Sequence, residues 1–303
     1  MHPQERHSQP PAHVMPRRLA IVLLALGAAL VAFSVVWLVA VSPSYRLLRP
    51  DYHRSEMLQG TFSDLDSASG TFAEWTVTVH REWQAEGATD RALALYEATS
   101  ATVPEGAAPF AFPDTASHLN VDRKTGAYLS TLYGGRRGNF SPPPGLKPGD
   151  SFTLWVQAVL WAVPVRYEGA VSVNGVVALL FRGEALDLPL DREPSGIIQH
   201  GADVMVELQV EPRTGYVVSR AEHITLKVMD GKVPVRTQSV TDLRFSEDEV
   251  ARQARLARGE RLRVALLGTF MPWALLGLGA LLSVEGLFLL LVASWRRRAA
   301  RSI

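Results

Sequence analysis

The side chains able to do chemistry in this 303-residue chain are scattered, and no spacing among them assembles a reaction centre. Of the eight histidines, His118 lies four residues before Asp122 but ahead of a Thr-Gly turn, and His200 and Asp203 flank a glycine. Glu222 and His223 are adjacent, so on a strand they point to opposite faces. No third ligand accompanies any pair, and a zinc site needs at least three. The chain has no cysteine, which excludes disulfides, iron–sulfur clusters and thiolate metal sites. No Gly-x-Ser-x-Gly elbow, phosphate loop or catalytic carboxylate pair is present. The chain reads as non-enzymatic, with no cofactor and no metal.

Three other groups carry interaction chemistry. Glu285 sits inside an apolar run, between Trp273 and Trp295, which are 22 residues apart. That is ~33 Å of helix, so Trp at both interfaces puts Glu285 near a bilayer midplane. An acidic residue there costs roughly 2.5–3.5 kcal/mol, so it calls for a proton or a partner. Antiparallel pairing with the other apolar run brings Ala29 and Leu30 to that depth, with Ser34 one turn away. Gly279 and Ser283 form a small-xxx-small pair on a different face of the same helix from Glu285. The second group is Phe152–Val163, twelve residues with Phe152, Trp155 and Trp161 and only Thr153 and Gln157 polar. It is too short to span a membrane. It reads either as an apolar lip for an acyl chain or the membrane surface, or as a buried strand or short core helix. The third is Arg255, Arg258, Arg261 and Arg263, a series just ahead of the second apolar run that could bind lipid phosphates or simply be solvated.

The elements that hold these groups follow from hydropathy. Leu19–Val41 and Val264–Ser294 are each long enough to cross a hydrocarbon core ~30 Å thick. The first run exceeds the h-region of a cleaved leader and reads as a signal anchor, although Ala40-Val41-Ser42 would serve as a cleavage site. Arg17 and Arg18 abut the first span, and Arg296, Arg297, Arg298 and Arg301 follow the second. Positive charge stays inside, so both termini are expected in the cytoplasm and the middle outside, in the cell membrane of an Arg-rich, GC-rich bacterium. The residues between the spans carry 24 Lys+Arg against 28 Asp+Glu, an acidic balance that argues against nucleic acid as a partner.

Residues 71–245 read as strands. Trp75–Val79, Leu93–Tyr96, Val165–Val173, Val176–Phe181, Val204–Val210, Tyr216–Val228 and Val233–Phe245 alternate or run apolar and β-branched. Asn174-Gly175 and Asp230-Gly231 are hairpin turns. Residues 134–150, rich in Pro and Gly, read as a linker or long surface loop. The halves either side of it look alike: Val121–Ser130 matches Val210–Ser219, each with an acid followed by a turn and Thr-Gly. Ser246-Glu-Asp-Glu249 is a capping box that starts a helix. The expected organisation is a tail at 1–18, a span at 19–41, β-subdomains at 45–133 and 151–245, a helical stalk at 246–263, a span at 264–294 and a basic tail at 295–303.

Taken together, the Asp122–Gly126 turn, Ala162-Val-Pro-Val-Arg-Tyr-Glu-Gly169 followed by Val173-Asn-Gly175, Val210-Glu-Pro-Arg-Thr-Gly-Tyr-Val-Val218, Glu222-His223 and a helix running into a final span resemble the "porin PorA family" of two-span actinobacterial-type membrane proteins, over nearly the whole chain. The hairpin pattern is similar, more distantly, to the open β-barrels of lipoprotein carriers, which hold acyl chains on a curved sheet. The fold expected is membrane-anchored α+β: two transmembrane helices flanking an exported, mostly antiparallel β-domain of two half-barrel-like subdomains. Two functions fit. One is a cell-envelope module whose β-domain binds a lipid or other apolar ligand, with Phe152–Val163 lining the groove. The other is an assembly subunit that forms a homo-oligomer, or joins an envelope protein, through its spans within a transport or pore complex. Two helices cannot enclose water without oligomerising.

Overall fold

The computed structural model describes residues 15–66, 69–102, 115–129, 136–190, 200–231 and 233–299. Most of the expected N-terminal tail, Gly134 and Gly135 of the Pro/Gly loop, and Arg301 lie outside the described residues. The chain divides into two compact units, residues 1–45 with 265–303 and residues 46–264.

The first unit is a helix pair. Helix α1 (Met15–Val36) continues through a π-helical turn at Trp37–Val41 and a 3₁₀ turn at Ser42–Arg46. The chain re-enters this unit at the end of α2 (Glu247–Ala265), passes a second π-helical turn at Leu266–Phe270, and runs on as α3 (Met271–Ala299). Both helical stretches are long and apolar enough to cross a membrane. The second π turn has a covalent cause. Pro272 has no N–H, so the carbonyl four residues back, on Gly268, loses its helical donor. Met271 N–H bonds to Leu266 O instead, which also frees Leu267 O. Both freed carbonyls are satisfied from the first helix: Ser42 Oγ donates to Gly268 O, and Trp37 Nε1 donates to Leu267 O at 2.9 Å.

The second unit is built on strands β1 (His53–Leu65), β2 (Phe72–Ala88), β3 (Ala92–Thr102), β4 (Thr115–Asp122), β5 (Ser151–Val156), β6 (Trp161–Val173), β7 (Val176–Pro189), β8 (His200–Glu211), β9 (Tyr216–Asp230) and β10 (Val233–Phe245). All ten form one antiparallel half-barrel sheet in the order β4-β3-β2-β1-β10-β9-β8-β7-β6-β5. This corrects the expected two subdomains. The meanders β1–β4 and β5–β10 share a continuous ladder, because β1 pairs with β10 from Leu58↔Phe245 to Asp64↔Ser239. The apolar face is likewise continuous: Leu58, Val79, Leu243, Ile224, Val206 and Phe181 fall in one core across strands from both meanders. Asn174 and Gly175 take φ 46° and 77°, as a type I′ turn requires. The two matching turns are wired alike: Asp122 accepts from Thr125 N and Oγ1, and Glu211 from Thr214 N and Oγ1.

The Pro/Gly segment differs from a surface loop. Phe140, Ser141, Pro142 and Leu146 are buried. The chain lies so close to both Thr-Gly turns that a Cβ on Gly126 would stand 2.9 Å from Ser141 O, and one on Gly215 would stand 2.4 Å from Pro142 O. Glycine alone permits that approach, and prolines can be buried without orphaning an N–H.

Helix α2 is seated on the sheet rather than standing free. Strand β10 ends at Phe245, opposite Leu58, which leaves residues 53–57 of β1 without a neighbour on that side. Side chains of α2 replace the missing ladder. Gln253 Nε2 and Arg252 Nη2 donate to Ser55 O at 2.8 and 2.9 Å, and Glu249 Oε1 accepts from Met57 N at 3.2 Å. One turn on, Ala254 and Ala257 pack against Val176 and Val218.

Candidate functional site

In the helix unit, glycines decide which faces meet. A Cβ on Gly27 would lie 2.4 Å from Ser283 Oγ and 2.6 Å from Gly279 O. One on Gly279 would lie 2.8 Å from Gly27 O, and one on Gly286 would lie 2.9 Å from Ala20 O. Backbone contact this close needs residues without side chains. Gly279 and Ser283 therefore belong to the α1–α3 seam, and Ser34 is buried with its hydroxyl bonded to Leu30 O. The register differs from the one expected. Gly286 meets Ala20 and Leu24, so Ala29 is not level with Glu285 and lies exposed. Gly27 and Gly286, which the small-xxx-small pattern passed over, set it.

Glu285 is outside this seam. It is exposed on the uncovered side of α3, with Leu281 one turn before it 70% exposed and Phe288 after it 63% exposed. Gly277, two turns back, faces open space. Among the described residues no hydrogen bond or ion pair reaches the Glu285 carboxylate.

In the sheet unit the candidate residues separate. Trp155 is buried, donating from Nε1 to Gln157 Oε1 at 2.9 Å and lying edge-on to Tyr128. Phe152 is half-buried, its ring 5.2 Å from that of Phe181. Trp161 is exposed, beside Leu160 in the tight turn between β5 and β6. The segment Phe152–Val163 is thus an edge hairpin with a packed body and an apolar tip, neither a continuous lip nor a central strand. Arg255, Arg258 and Arg261 are exposed on α2, with Arg261 4.0 Å from Glu211, and Arg263 lies 3.5 Å from Glu260.

A buried charge network escaped the sequence reading. On the core face of the sheet, Arg81 Nη1 and Nη2 donate to Glu222 Oε1 and Oε2, both at 2.9 Å. Arg220 Nε donates to Glu222 Oε1 at 2.6 Å, and Arg220 Nη1 reaches Glu56 Oε2 at 3.4 Å. Arg54 lies 2.6 Å from Glu56, over the Tyr216 ring, and donates to Val217 O. These five side chains are at most 5% exposed. Arg54 and Arg220 bridge β1 to β9 where β10 has ended, so the network closes the same gap that α2 covers from its other side. A second pair, Glu97 and Arg136, is joined by Trp83 Nε1, which donates to Glu97 at 2.8 Å. Phe140, Ser141 and Pro142 close over Arg54, Glu56 and Arg220.

The field inside follows from this packing. Burial alone would raise the Glu222 carboxyl, but Arg220 and Arg81 hold it well below the usual carboxylate range. Burial pushes the Tyr216 hydroxyl up to about 12 and that of Tyr128 further. The open grooves have mixed linings, with charged side chains among apolar surface. One of about 430 Å³ is lined by Thr61, Met205, Glu207, His223, Asp242 and Arg244. Another, about 640 Å³, lies between α2 and β1–β2 and includes Ser55, His80, Glu82, Asp248 and Arg252. Among the described residues, no three His, Asp or Glu side chains are placed to share a metal ion.

Compared with known proteins, residues 19–288 match the family described as Porin PorA, which takes in the whole sheet and most of both helical stretches. No curated protein matches the chain.

Proposed function

The chain belongs to the Porin PorA family, and on that premise we propose that it is a non-enzymatic assembly subunit of a membrane complex. Its helix pairs associate with other copies through the uncovered face of α3, within a transport or pore assembly. In this reading both termini are cytoplasmic and the sheet is extracytoplasmic. The observation that carries it is Glu285. An acidic side chain within an apolar helix is costly unless it meets a partner, and the α1–α3 seam leaves it uncovered. A second copy supplies the missing contact, and only an oligomer of such pairs can enclose water. The reading of the sheet as a lipid-holding module has less behind it: Phe152 and Trp155, the aromatic residues expected to line the groove, are packed into the sheet unit.

The test is the mass of the full chain in mild detergent. The wild type should run as a discrete oligomer, Glu285→Leu should fall to the monomer, and Glu285→Gln, which keeps hydrogen bonding, should hold the oligomer in part. A monomeric wild type, or an oligomer indifferent to Glu285→Leu, overturns the proposal. Conductance steps in a planar bilayer that disappear with Glu285→Leu would tie the oligomer to transport.

A further inference from the structure

We propose that the outward face of α2 is a docking strip for the phosphate headgroups of anionic phospholipid. The helix has two faces with different chemistry. Gln253, Ala254 and Ala257 are fully buried against the sheet. Turned away from the sheet are Arg255 and Leu262, with Arg258 and Leu256 on the flanks, while Arg261 is exposed one turn past Ala257, where the buried stretch has ended; Leu256 and Leu262 are 44% and 59% exposed.

Three acids near this face are already engaged, while Asp248 lines a groove together with Arg252 and Arg255. Glu249 binds Arg252, Gln253 and the Met57 amide. Glu260 pairs with Arg49 and Arg263. Glu211 accepts from Thr214 and stands 4.0 Å from Arg261. Arg255 and Arg258 have no ion pair among the described residues. At 1.5 Å per residue, successive arginines three apart rise ~4.5 Å along the helix, close enough to converge on neighbouring phosphates.

A purely solvated helix face gains nothing from exposed leucines between its arginines. That mixture fits the boundary of headgroups and acyl chains, where the guanidinium meets phosphate and the leucine meets methylenes. The chain supports this occupant: the residue after Arg263 begins the apolar run Val264–Ser294. The strip is also held ready, because Gln253 and Arg252 fix α2 on Ser55.

The experiment is native mass spectrometry of the full chain in mild detergent, titrated with phosphatidylglycerol or phosphatidylcholine. Each arginine near an anionic surface contributes on the order of fivefold, so Arg255 and Arg258 together should favour phosphatidylglycerol about thirtyfold. The double variant Arg255→Gln, Arg258→Gln should lose that preference. Arg213→Gln, which removes an exposed charge from the β8–β9 turn, should keep it. Leu262→Ser, with every arginine in place, should weaken retention of both lipids. Equal retention of the two lipids by the wild type, or a preference untouched by the double variant, overturns the proposal. Loss of the preference on adding inorganic phosphate alone also overturns it, by assigning the strip to a free anion.

Discussion

Glu222 is the residue on which the buried network turns, since it takes the fork of Arg81 and the side of Arg220 together. Breaking a buried ion pair by removing one partner typically costs about 3–5 kcal/mol, because the other charge stays buried and unpaired. Glu222→Gln should lower the stability of the full chain by that order in denaturant titrations. Glu82→Gln, an exposed acid on β2, should cost under about 1 kcal/mol. The pH dependence has a definite sign. A carboxylate held below its ordinary value stabilises the fold fully at neutral pH, and that contribution fades as acid titrates the unfolded chain. The Glu222 term should hold above about pH 5 and be lost progressively below the ordinary carboxylate value of 4.5. Glu222→Gln should flatten this acid limb of a melting curve recorded against pH. The network was within reach of the sequence. Arg54 and Glu56 are in phase, at period two, with Leu58 and Phe62, so the charges share the core face. Read as ordinary strand charges they signal solvent instead, and β1 itself was missed on that account.

At the scale of elements, the helix seam is where packing is least forgiving. Gly27→Leu would drive a side chain into Gly279 and Ser283, a clash typically costing about 1–3 kcal/mol or separating the helices. Ala29→Leu, on the exposed side, should be tolerated. Thermal unfolding of both variants in detergent distinguishes them: the midpoint falls for Gly27→Leu and stays put for Ala29→Leu. Most strands were legible because their alternation is clean; β10 was read as Val233–Phe245, the span it occupies. The helix beginning at Ser246 was legible from its capping box. That α2 is seated on the sheet was not, since it depends on β10 stopping before it covers residues 53–57 of β1. No local pattern records where a neighbouring strand ends. The π turns were equally hidden, although Pro272 is the visible cause of the second.

At the scale of the molecule, repetition misled. The resemblance between the turn after β4 and the β8–β9 turn is real in wiring, but a repeated turn does not make a separate domain. The β1–β10 ladder decides that, and it joins residues far apart in sequence. A chain stopped at Asp230, which keeps both hairpin series but lacks β10 and α2, should therefore be degraded by protease as rapidly as an unfolded chain. Protection of either meander alone would show that the sheet has two independent halves after all.

The same ladder sets a clock. Strand β1 is made among the first of the sheet, and its permanent neighbour is made last, 187 positions later at the Leu58↔Phe245 pair. At ordinary translation rates of ~5–20 residues per second, that interval lasts on the order of ten to forty seconds. Throughout it β1 presents an open hydrogen-bonding edge, the feature that invites pairing with the wrong chain. Biogenesis of this protein is thus a waiting problem: whatever shields a newly made strand over those seconds governs its yield more than the stability of the finished sheet does.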